Sequence, residues 1–278
     1  MRDVLLQLVT YPDPVPDEAL SWAHQFSQLL EASLSLEIFE VDIQAPSNPL
    51  ANALLNLPAM AAAQRARSAE TARRYTALAS GLETHFGSVA AVTTICSGHD
   101  IPSLAARTAR LRDVAVVPLL ASLGQQQDVA EAIAFGGGGP VLVVPAESLG
   151  ERPSLRRIVV AWDFGAPAAS AIAHAMPLLR RAEEVVVLIV VNEKSIPATS
   201  SASRLALRLA LNDVNARVYE EDASGRKIGE VLSAYVAGQR FDLLVMGAFG
   251  HSRMSEFILG GATRSVLQAP PCPVLMAH

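Results

Sequence analysis

The sequence contains few aromatic residues, few charged residues and two cysteines, and each scarcity narrows the range of proteins it can encode. Aromatic residues make up 5% and charged residues 18%, whereas hydrophobic residues reach 51%, so a disordered chain is not expected. Cys96 and Cys272 lie far apart and outside any partner motif, which indicates reduced, buried thiols. Alanine, valine and leucine dominate instead, as is typical of alanine-rich helices packed on valine-rich parallel strands.

Basic charge and long apolar runs are also lacking. The net charge of −5 argues against a broad nucleic-acid surface, because phosphate-backbone binding needs a basic face. Apolar runs such as Val185–Val191 are far shorter than the roughly 20 residues that span a bilayer. The N-terminus shows no secretory signal pattern. We therefore expect a soluble, cytoplasmic protein whose partners are neither nucleic acid nor membrane.

Short valine, leucine and isoleucine runs alternate with longer helical stretches along the whole chain. Each half has the order βαβαβαβαβ, and the turn-rich segment Pro145–Pro153 separates the halves. Continuously apolar strands separated by helices predict an α/β fold with parallel sheets covered on both faces. The predicted strands are residues 4–9, 34–41, 89–96, 113–118 and 140–144, then 158–162, 185–191, 216–220, 243–246 and 273–276.

The two halves are an internal duplication. Asp113–Pro118 corresponds to Asp242–Gly247, and Gly139–Val144 corresponds to Cys272–Ala277. The chain length also suits two domains of about 140 residues each. We predict an N-terminal domain of residues 1–147 and a C-terminal domain of residues 154–278.

The segment Met246–Thr263 holds the glycines that point to a ligand. Gly247 and Gly250 follow a predicted strand, and Gly260 and Gly261 open the next helix. Ligands of open α/β sheets bind at the carboxyl ends of strands, where glycine lets the backbone approach a phosphate and a helix N-terminus offers N–H groups. The alternative is that these glycines only form turns and close helix contacts. Three further side chains could donate to phosphate or remain solvated: His251, Ser252 and Arg253.

The spacing Gly247-x2-Gly250-x9-Gly260 resembles the G-x2-G-x9-G-(S/T) signature of the ATP-binding universal stress proteins. The segment Pro271–Met276 is similar to the last strand of that family. The segment Ile158–Asp163 resembles its first strand, which ends in an aspartate on the adenine side. Asp163 could alternatively cap the helix that starts near Pro167. Val190 best matches the valine whose backbone contacts adenine in that family.

The resemblance implies two tandem doubly wound five-stranded parallel sheets of the adenine nucleotide α-hydrolase-like type, with strand order 3-2-1-4-5. The last strand would pair with its counterpart at residues 140–144 and form an intramolecular pseudo-dimer, and further homodimerisation is a hypothesis. The implied function is a stress-response regulatory protein that binds an adenine nucleotide, ATP with Mg²⁺, in the C-terminal domain. The implied site residues are Asp163, Val190, Gly247, Gly250, His251, Ser252, Arg253, Gly260, Gly261 and Thr263.

Two departures from the family pattern qualify this reading. Gly261 stands where ATP binders have serine or threonine, so a hydroxyl donor is missing. In the first copy the segment after Pro118 has no Gly-x2-Gly, and Asp113 to Pro140 spans 27 residues where Asp242 to Pro273 spans 31. We predict that the N-terminal domain does not bind ATP in the family manner. The alternative function is an interaction module that binds no ATP and acts through dimer or partner contacts.

Catalysis is the least supported function class. The loop carries no acidic pair that could hold a catalytic metal and no evident general base, so at most a weak ATPase is expected. The histidines show no metal-ligand spacing, and no Gly-x-Ser-x-Gly elbow is present. We name no catalytic and no metal-binding residue.

Overall fold

The structure is a computed structural model that describes residues 1–45, 55–120, 124–191, 202–248 and 261–278. Short apolar runs form strands and the longer amphipathic stretches form helices, in alternation. In the N-terminal half the strands are β1 (Asp3–Val9), β2 (Ser33–Val41), β3 (Glu83–Thr84), β4 (Gly87–Ser88), β5 (Ala90–Cys96), β6 (Val114–Leu119) and β7 (Val141–Pro145). The helices of this half are α1 (Glu18–Leu30), α2 (Leu57–Ser80), α3 (Ile101–Ala109) and α4 (Gly124–Gly136).

The C-terminal half repeats this alternation. Its strands are β8 (Arg157–Ala161), β9 (Glu184–Val191), β10 (Ala216–Asp222), β11 (Leu243–Gly247) and β12 (Val274–Ala277). Its helices are α5 (Ala166–Leu179), α6 (Ala202–Ala210), α7 (Ile228–Gln239) and α8 (Gly261–Gln268). The predicted α/β class is confirmed. The hairpin of β3 and β4 was not predicted, because two-residue strands show no periodicity in sequence.

The strands of both halves form one ten-stranded sheet in the order β10-β9-β8-β11-β12-β7-β6-β1-β2-β5. Within each half, the strands are therefore ordered third, second, first, fourth and fifth along the chain. Neighbouring strands inside each half are parallel. The last strand pairs with residues 141–143, as the family resemblance implied, and this pairing joins the two five-stranded sheets edge to edge.

The junction between the halves is the antiparallel pair of β7 and β12. Leu142 lies opposite Leu275, with Val143 opposite Val274 and Val141 opposite Met276. All of these side chains are fully buried. Burying apolar surface stabilises by about 25 cal/mol per Å², so this uncharged strand pair is well suited to hold the halves together.

The internal duplication extends to individual hydrogen bonds. The Asp113 carboxylate, just before β6, accepts the backbone N–H of Asp3 at the start of β1. The Asp242 carboxylate, just before β11, accepts the backbone N–H of Arg157 at the start of β8, at 2.8 Å. Both pairs tie the first strand of a half to its fourth. They also fix the alignment of the halves, so that Asp3 corresponds to Arg157.

The core forms two layers, one on each face of the shared sheet. Alternate strand residues supply each layer, because successive side chains of a strand point to opposite faces. One layer includes Leu6 and Val160, and the other includes Val117 and Val159. Each layer runs through both halves. In the described ranges, no helix combines the length and the apolar character needed to cross a membrane.

The two cysteines are unpaired. Cys272 is buried and Cys96 is half-buried at the end of β5. Burial raises the pKa of the Cys272 thiol to about 12. Burial, followed by the charges of Asp100 and Glu37, raises the pKa of the Cys96 thiol to about 11. Both thiols therefore stay protonated near neutral pH.

Candidate functional site

The candidate site lies at the carboxyl ends of β8, β9 and β11, where parallel open sheets bind ligands. Of the residues predicted from sequence, five belong to the described part of the chain: Asp163, Val190, Gly247, Gly261 and Thr263. The remaining predicted residues lie outside the described residues: Gly250, His251, Ser252, Arg253 and Gly260.

Asp163 lies in a tight turn directly after β8. Its exposed carboxylate accepts the backbone N–H of Gly165 through Oδ1 at 2.9 Å. Between them, Phe164 adopts a positive φ of 63°, a left-handed conformation that is costly for a bulky residue. The N-cap of α5 is Gly165 rather than Asp163. Asp163 therefore stabilises the turn that leads into the helix, and this hydrogen bond uses one of its two carboxylate oxygens.

Gly165 lies close against the carboxylate in this turn. A Cβ at this position would lie 2.9 Å from Oδ1 of Asp163 and 3.3 Å from Oδ2. A larger residue at this position would therefore require the Asp163 carboxylate to shift. The turn therefore holds the Asp163 carboxylate in one place at the sheet edge, and such preorganisation is what a recognition group needs.

Val190 lies near the end of β9, beside the Asp163 turn. The strand is fully buried from Val185 to Ile189, but Val190 and Val191 are only half-buried. The N–H of Trp162 bonds to the carbonyl of Leu188 at 2.9 Å, which continues the β8–β9 ladder toward the site. The apolar surface of β9 is thus partly open at this edge.

Gly247 ends β11 and lies against the first turn of α5. A Cβ here would lie 2.5 Å from the backbone nitrogen of Ala168 and 2.7 Å from the carbonyl carbon of Pro167. Because these are backbone atoms, they cannot move aside cheaply. The described contacts of Gly247 therefore support close strand–helix packing, which was the alternative interpretation of this glycine.

Gly261 has the opposite environment. It is exposed, and a Cβ added to it would meet no atom of the described residues within 4 Å. It is the first residue of α8, and the first turn of a helix leaves N–H groups without intrahelical partners. Thr263 in the same turn is buried. Open space at a helix N-terminus on the ligand edge suits an anionic group.

Trp162 was missed by the sequence-based prediction. Its indole Nε1 is buried and has no hydrogen-bond partner among the residues that the structure describes. The ring lies 5.5 Å from that of Phe164, centroid to centroid. A buried indole N–H normally finds a partner. The sequence did offer a signal for Trp162: it is one of two tryptophans in the chain and lies directly before the predicted site residue Asp163.

The corresponding edge of the N-terminal half is filled. The alignment of β1 with β8 places Val9 at the position of Asp163, and Phe39 pairs with Val9 as the counterpart of Val190. Val9 and Phe39 are both buried. Asp13 is exposed, four residues beyond Val9, and is not the counterpart of Asp163.

A hydrogen-bond chain seals this N-terminal edge. The Val41 N–H donates to Oγ of Ser68 at 2.8 Å, and the Ser68 and Thr10 hydroxyls are 2.7 Å apart. Thr10 donates to the carbonyl oxygen of Phe39 at 2.8 Å, so Ser68 is the donor to Thr10. All of these groups are buried. Helix α2 thereby supplies a side chain that covers the ends of β1 and β2.

The described part of the chain contains no preformed cluster of metal ligands. Within those ranges, no three histidine, cysteine, aspartate or glutamate side chains lie close enough together to hold an ion. Near the C-terminal edge, the imidazole Nδ1 of His278 lies 3.0 Å from the Ala248 carbonyl oxygen, so this histidine contacts the backbone.

Comparison with known proteins agrees with this architecture. Residues 154–278 match the model of the universal stress protein family. Over 98% of this chain and 97% of the other, the fold is similar to a universal stress protein from Archaeoglobus fulgidus DSM 4304, with a TM-score of 0.63 and 14% identity. It is also similar to a functionally unknown protein from Pseudomonas aeruginosa PAO1, with a TM-score of 0.57 and 17% identity over 98% and 92% of the two chains. No curated protein matches the sequence.

These comparisons agree with an α/β fold that extends over both halves of the chain. The C-terminal half of this chain is therefore a universal stress protein domain, and the whole chain has the tandem two-domain fold of universal stress proteins.

Proposed function

We propose that the C-terminal half binds an adenine nucleotide, ATP with Mg²⁺, and that the chain acts as a nucleotide-binding regulatory protein in a stress response. One observation carries the proposal. Asp163 is exposed and Val190 half-open at the ligand edge, whereas their counterparts Val9 and Phe39 are buried. The duplicated fold thus retains an accessible edge in one copy.

The groups at this edge fit the parts of a nucleotide. The second carboxylate oxygen of Asp163 could accept from an adenine amino group or a ribose hydroxyl. The half-open end of β9 around Val190 offers apolar surface to a base. The first turn of α8, which begins at Gly261, offers N–H groups to phosphate. The buried N–H of Trp162 is a further donor without a described partner.

The absence of a hydroxyl at Gly261 is expected to weaken ATP binding. A serine there would restore the hydroxyl of the family signature, and a hydrogen bond is worth about 0.5–1.5 kcal/mol net. Because about 1.4 kcal/mol is tenfold in affinity, we expect Gly261→Ser to tighten ATP binding by up to about tenfold. The matched control is Gly124→Ser at the first residue of α4, which also has open space around it. That change should leave ATP affinity unaltered.

Calorimetric titration with Mg-ATP tests the proposal directly. We expect one site per chain, and a loss of at least about tenfold in affinity for Asp163→Ala, because a charge-assisted hydrogen bond contributes about 1.5–3 kcal/mol. Asp13→Ala, in the corresponding loop of the N-terminal half, should change nothing. Absence of heat with the wild-type protein, together with no nucleotide in the freshly purified protein, would refute the proposal.

The N-terminal half supports a different role. Its ligand edge is occupied by its own side chains, which favours the alternative of a module that acts through protein contacts. The two roles are compatible within one chain. Nucleotide binding in the C-terminal half would bias the structure, and the N-terminal half would contribute surface. If titration finds no nucleotide, the interaction role applies to the whole chain.

A further inference from the structure

The shared sheet ends in two edge strands of very different character. Strand β5 ends the sheet in the N-terminal half and β10 ends it in the C-terminal half. Among the described residues, neither has a strand paired on its outer side. An edge strand presents unpaired N–H and C=O groups, which are a template for pairing with another chain.

Strand β10 carries the usual protection against such pairing. Of its seven residues, Arg217, Glu220, Glu221 and Asp222 are charged. Charged side chains on an edge discourage contact with another sheet, because the contact would have to desolvate them. Antiparallel pairing of two β10 strands about Tyr219 would bring six carboxylates and two guanidinium groups into one ribbon, so each strand would contribute three negative charges and one positive charge. This edge is therefore suited to remain in water.

Strand β5 lacks this protection. Its sequence, Ala-Ala-Val-Thr-Thr-Ile-Cys, has no charged residue and no proline. The whole segment from Thr84 to His99 contains no aspartate, glutamate, lysine or arginine. Val92 is 55% exposed and Ile95 is 68% exposed. They lie three positions apart on the strand, so they expose apolar surface on both faces of the sheet.

We propose that β5 is the dimer interface of this protein, and that it pairs antiparallel with β5 of a second copy. Thr93 is the middle residue of β5, so a two-fold axis at Thr93 lets the two strands pair along their full length. Val92 then lies opposite Thr94 of the other copy, and Ala91 opposite Ile95. The two ten-stranded sheets become continuous across the axis.

This register suits self-association in three ways. Each opposed pair is uncharged, so no like charges meet. The interface is isologous, so the assembly closes at two copies instead of growing into a fibre. β-Branched side chains fill most of the contact, and cross-strand pairs of this type contribute about 0.2–1 kcal/mol each. Pairing of β5 with β10 of another copy would instead be open-ended and would set uncharged residues against charged ones.

Light scattering coupled to gel filtration tests the proposal on the full chain. The wild-type protein should have twice the monomer mass of 29.4 kDa over a concentration series. Thr93→Lys and Thr93→Glu each set like charges opposite one another at the axis, and each should raise the dimer dissociation constant by about tenfold or more. An equimolar mixture of the two variants should recover the dimer, because lysine then faces glutamate.

Matched variants separate this interface from general effects. Val218→Lys places the same charge on the exposed side of β10 and should leave the dimer intact, as should the near-isosteric Thr93→Val. Unchanged circular dichroism would show that the charged variants fold. A monomeric wild type would overturn the proposal whatever the variants do. Equal dissociation by Val218→Lys, or a mixture that stays monomeric, would overturn it as well.

Discussion

The carboxyl edges of the two halves share a backbone frame but differ in what covers them. In the C-terminal half, the edge carries the exposed Asp163 and the half-open Val190. In the N-terminal half, Val9 and Phe39 occupy the corresponding positions, and Ser68 closes the edge from α2. The difference teaches that the fold provides a location for a ligand, whereas a few side chains decide whether that location is accessible.

Helix α2 accounts for much of this difference. It runs for 24 residues from Leu57 to Ser80 and packs on β2 and β5. Ser68, in its middle, contributes a hydroxyl to the sealed cluster, and Tyr75 donates its buried hydroxyl to the Val15 carbonyl. Burial raises the pKa of Tyr75, so the phenol stays a donor at neutral pH. The long crossover helix therefore makes the N-terminal edge part of a core.

The largest expected effect concerns Gly247. Gly247→Val should lower the free energy of unfolding by about 3 kcal/mol, because its Cβ would overlap backbone atoms of α5 and overpacking of this kind costs about 1–3 kcal/mol or more. Urea unfolding followed through Trp162, the tryptophan of the C-terminal half, measures it. The matched change Gly261→Ala faces open space and should cause no loss. Equal losses for both glycines would show that the packing contrast between them is wrong.

An intermediate effect is expected at the sealed edge. Ser68→Ala removes the donor to Thr10 and the closer of the two acceptors of the Val41 N–H, leaving the Thr10 hydroxyl at 3.3 Å. A poorly satisfied buried polar group costs about 1–3 kcal/mol. We expect a loss of about 2 kcal/mol, measured by urea unfolding through Trp22, the tryptophan of the N-terminal half. Ser103→Ala removes an exposed hydroxyl and is the control. If both serine variants lose equally little, the hydroxyl chain does not hold this edge closed.

The smallest expected effect is a pH dependence that arises from Glu37 in the N-terminal half. Glu37 is buried in β2 at the position that Leu188 occupies in β9. Burial raises the pKa of Glu37 above its ordinary value of 4.5, while the Thr94 hydroxyl, which donates to it at 2.6 Å, and Arg112 oppose this rise. The unfolded chain therefore loses the proton first as pH rises. Stability should fall from about pH 4.5 upward, until the folded group has also ionised, and then stay low.

Glu37→Gln tests that sign. The variant keeps an acceptor for Thr94 but cannot ionise, so the fall in unfolding free energy above about pH 4.5 should shrink. Urea midpoints at pH 4 and pH 7 provide the measurement. Glu147→Gln makes the same chemical change on an exposed side chain and controls for net charge. A steeper fall with pH in Glu37→Gln than in the wild type would contradict the assigned direction.

Much of the fold followed from local patterns. The predicted strand at residues 185–191 matches β9, and the predicted strand at 243–246 matches β11 within one residue. Apolar runs of this length have few alternatives in a chain with alternating helices. Gly261 lies at the start of α8, in agreement with the prediction that Gly260 and Gly261 open this helix.

The functional contrast between the halves followed only in part. The shortened loop after Pro118 indicated that the first copy departs from the family pattern, but the sealing by Ser68 was not foreseen. Thr10 and Ser68 are 58 residues apart, and no local pattern connects them. In the same way, the contact of Gly247 with α5 depends on how a strand end and a distant helix pack.

The sequence by itself determined the alternation of strands and helices and the duplication, and it predicted a ligand site at the strand ends, because these depend on residues close together in the chain. The tertiary structure decided that one such place is filled and the other open, that Gly247 packs against a helix, and that β5 ends the sheet without charge. Those outcomes depend on contacts between distant segments, and they exist only once the sheet is assembled.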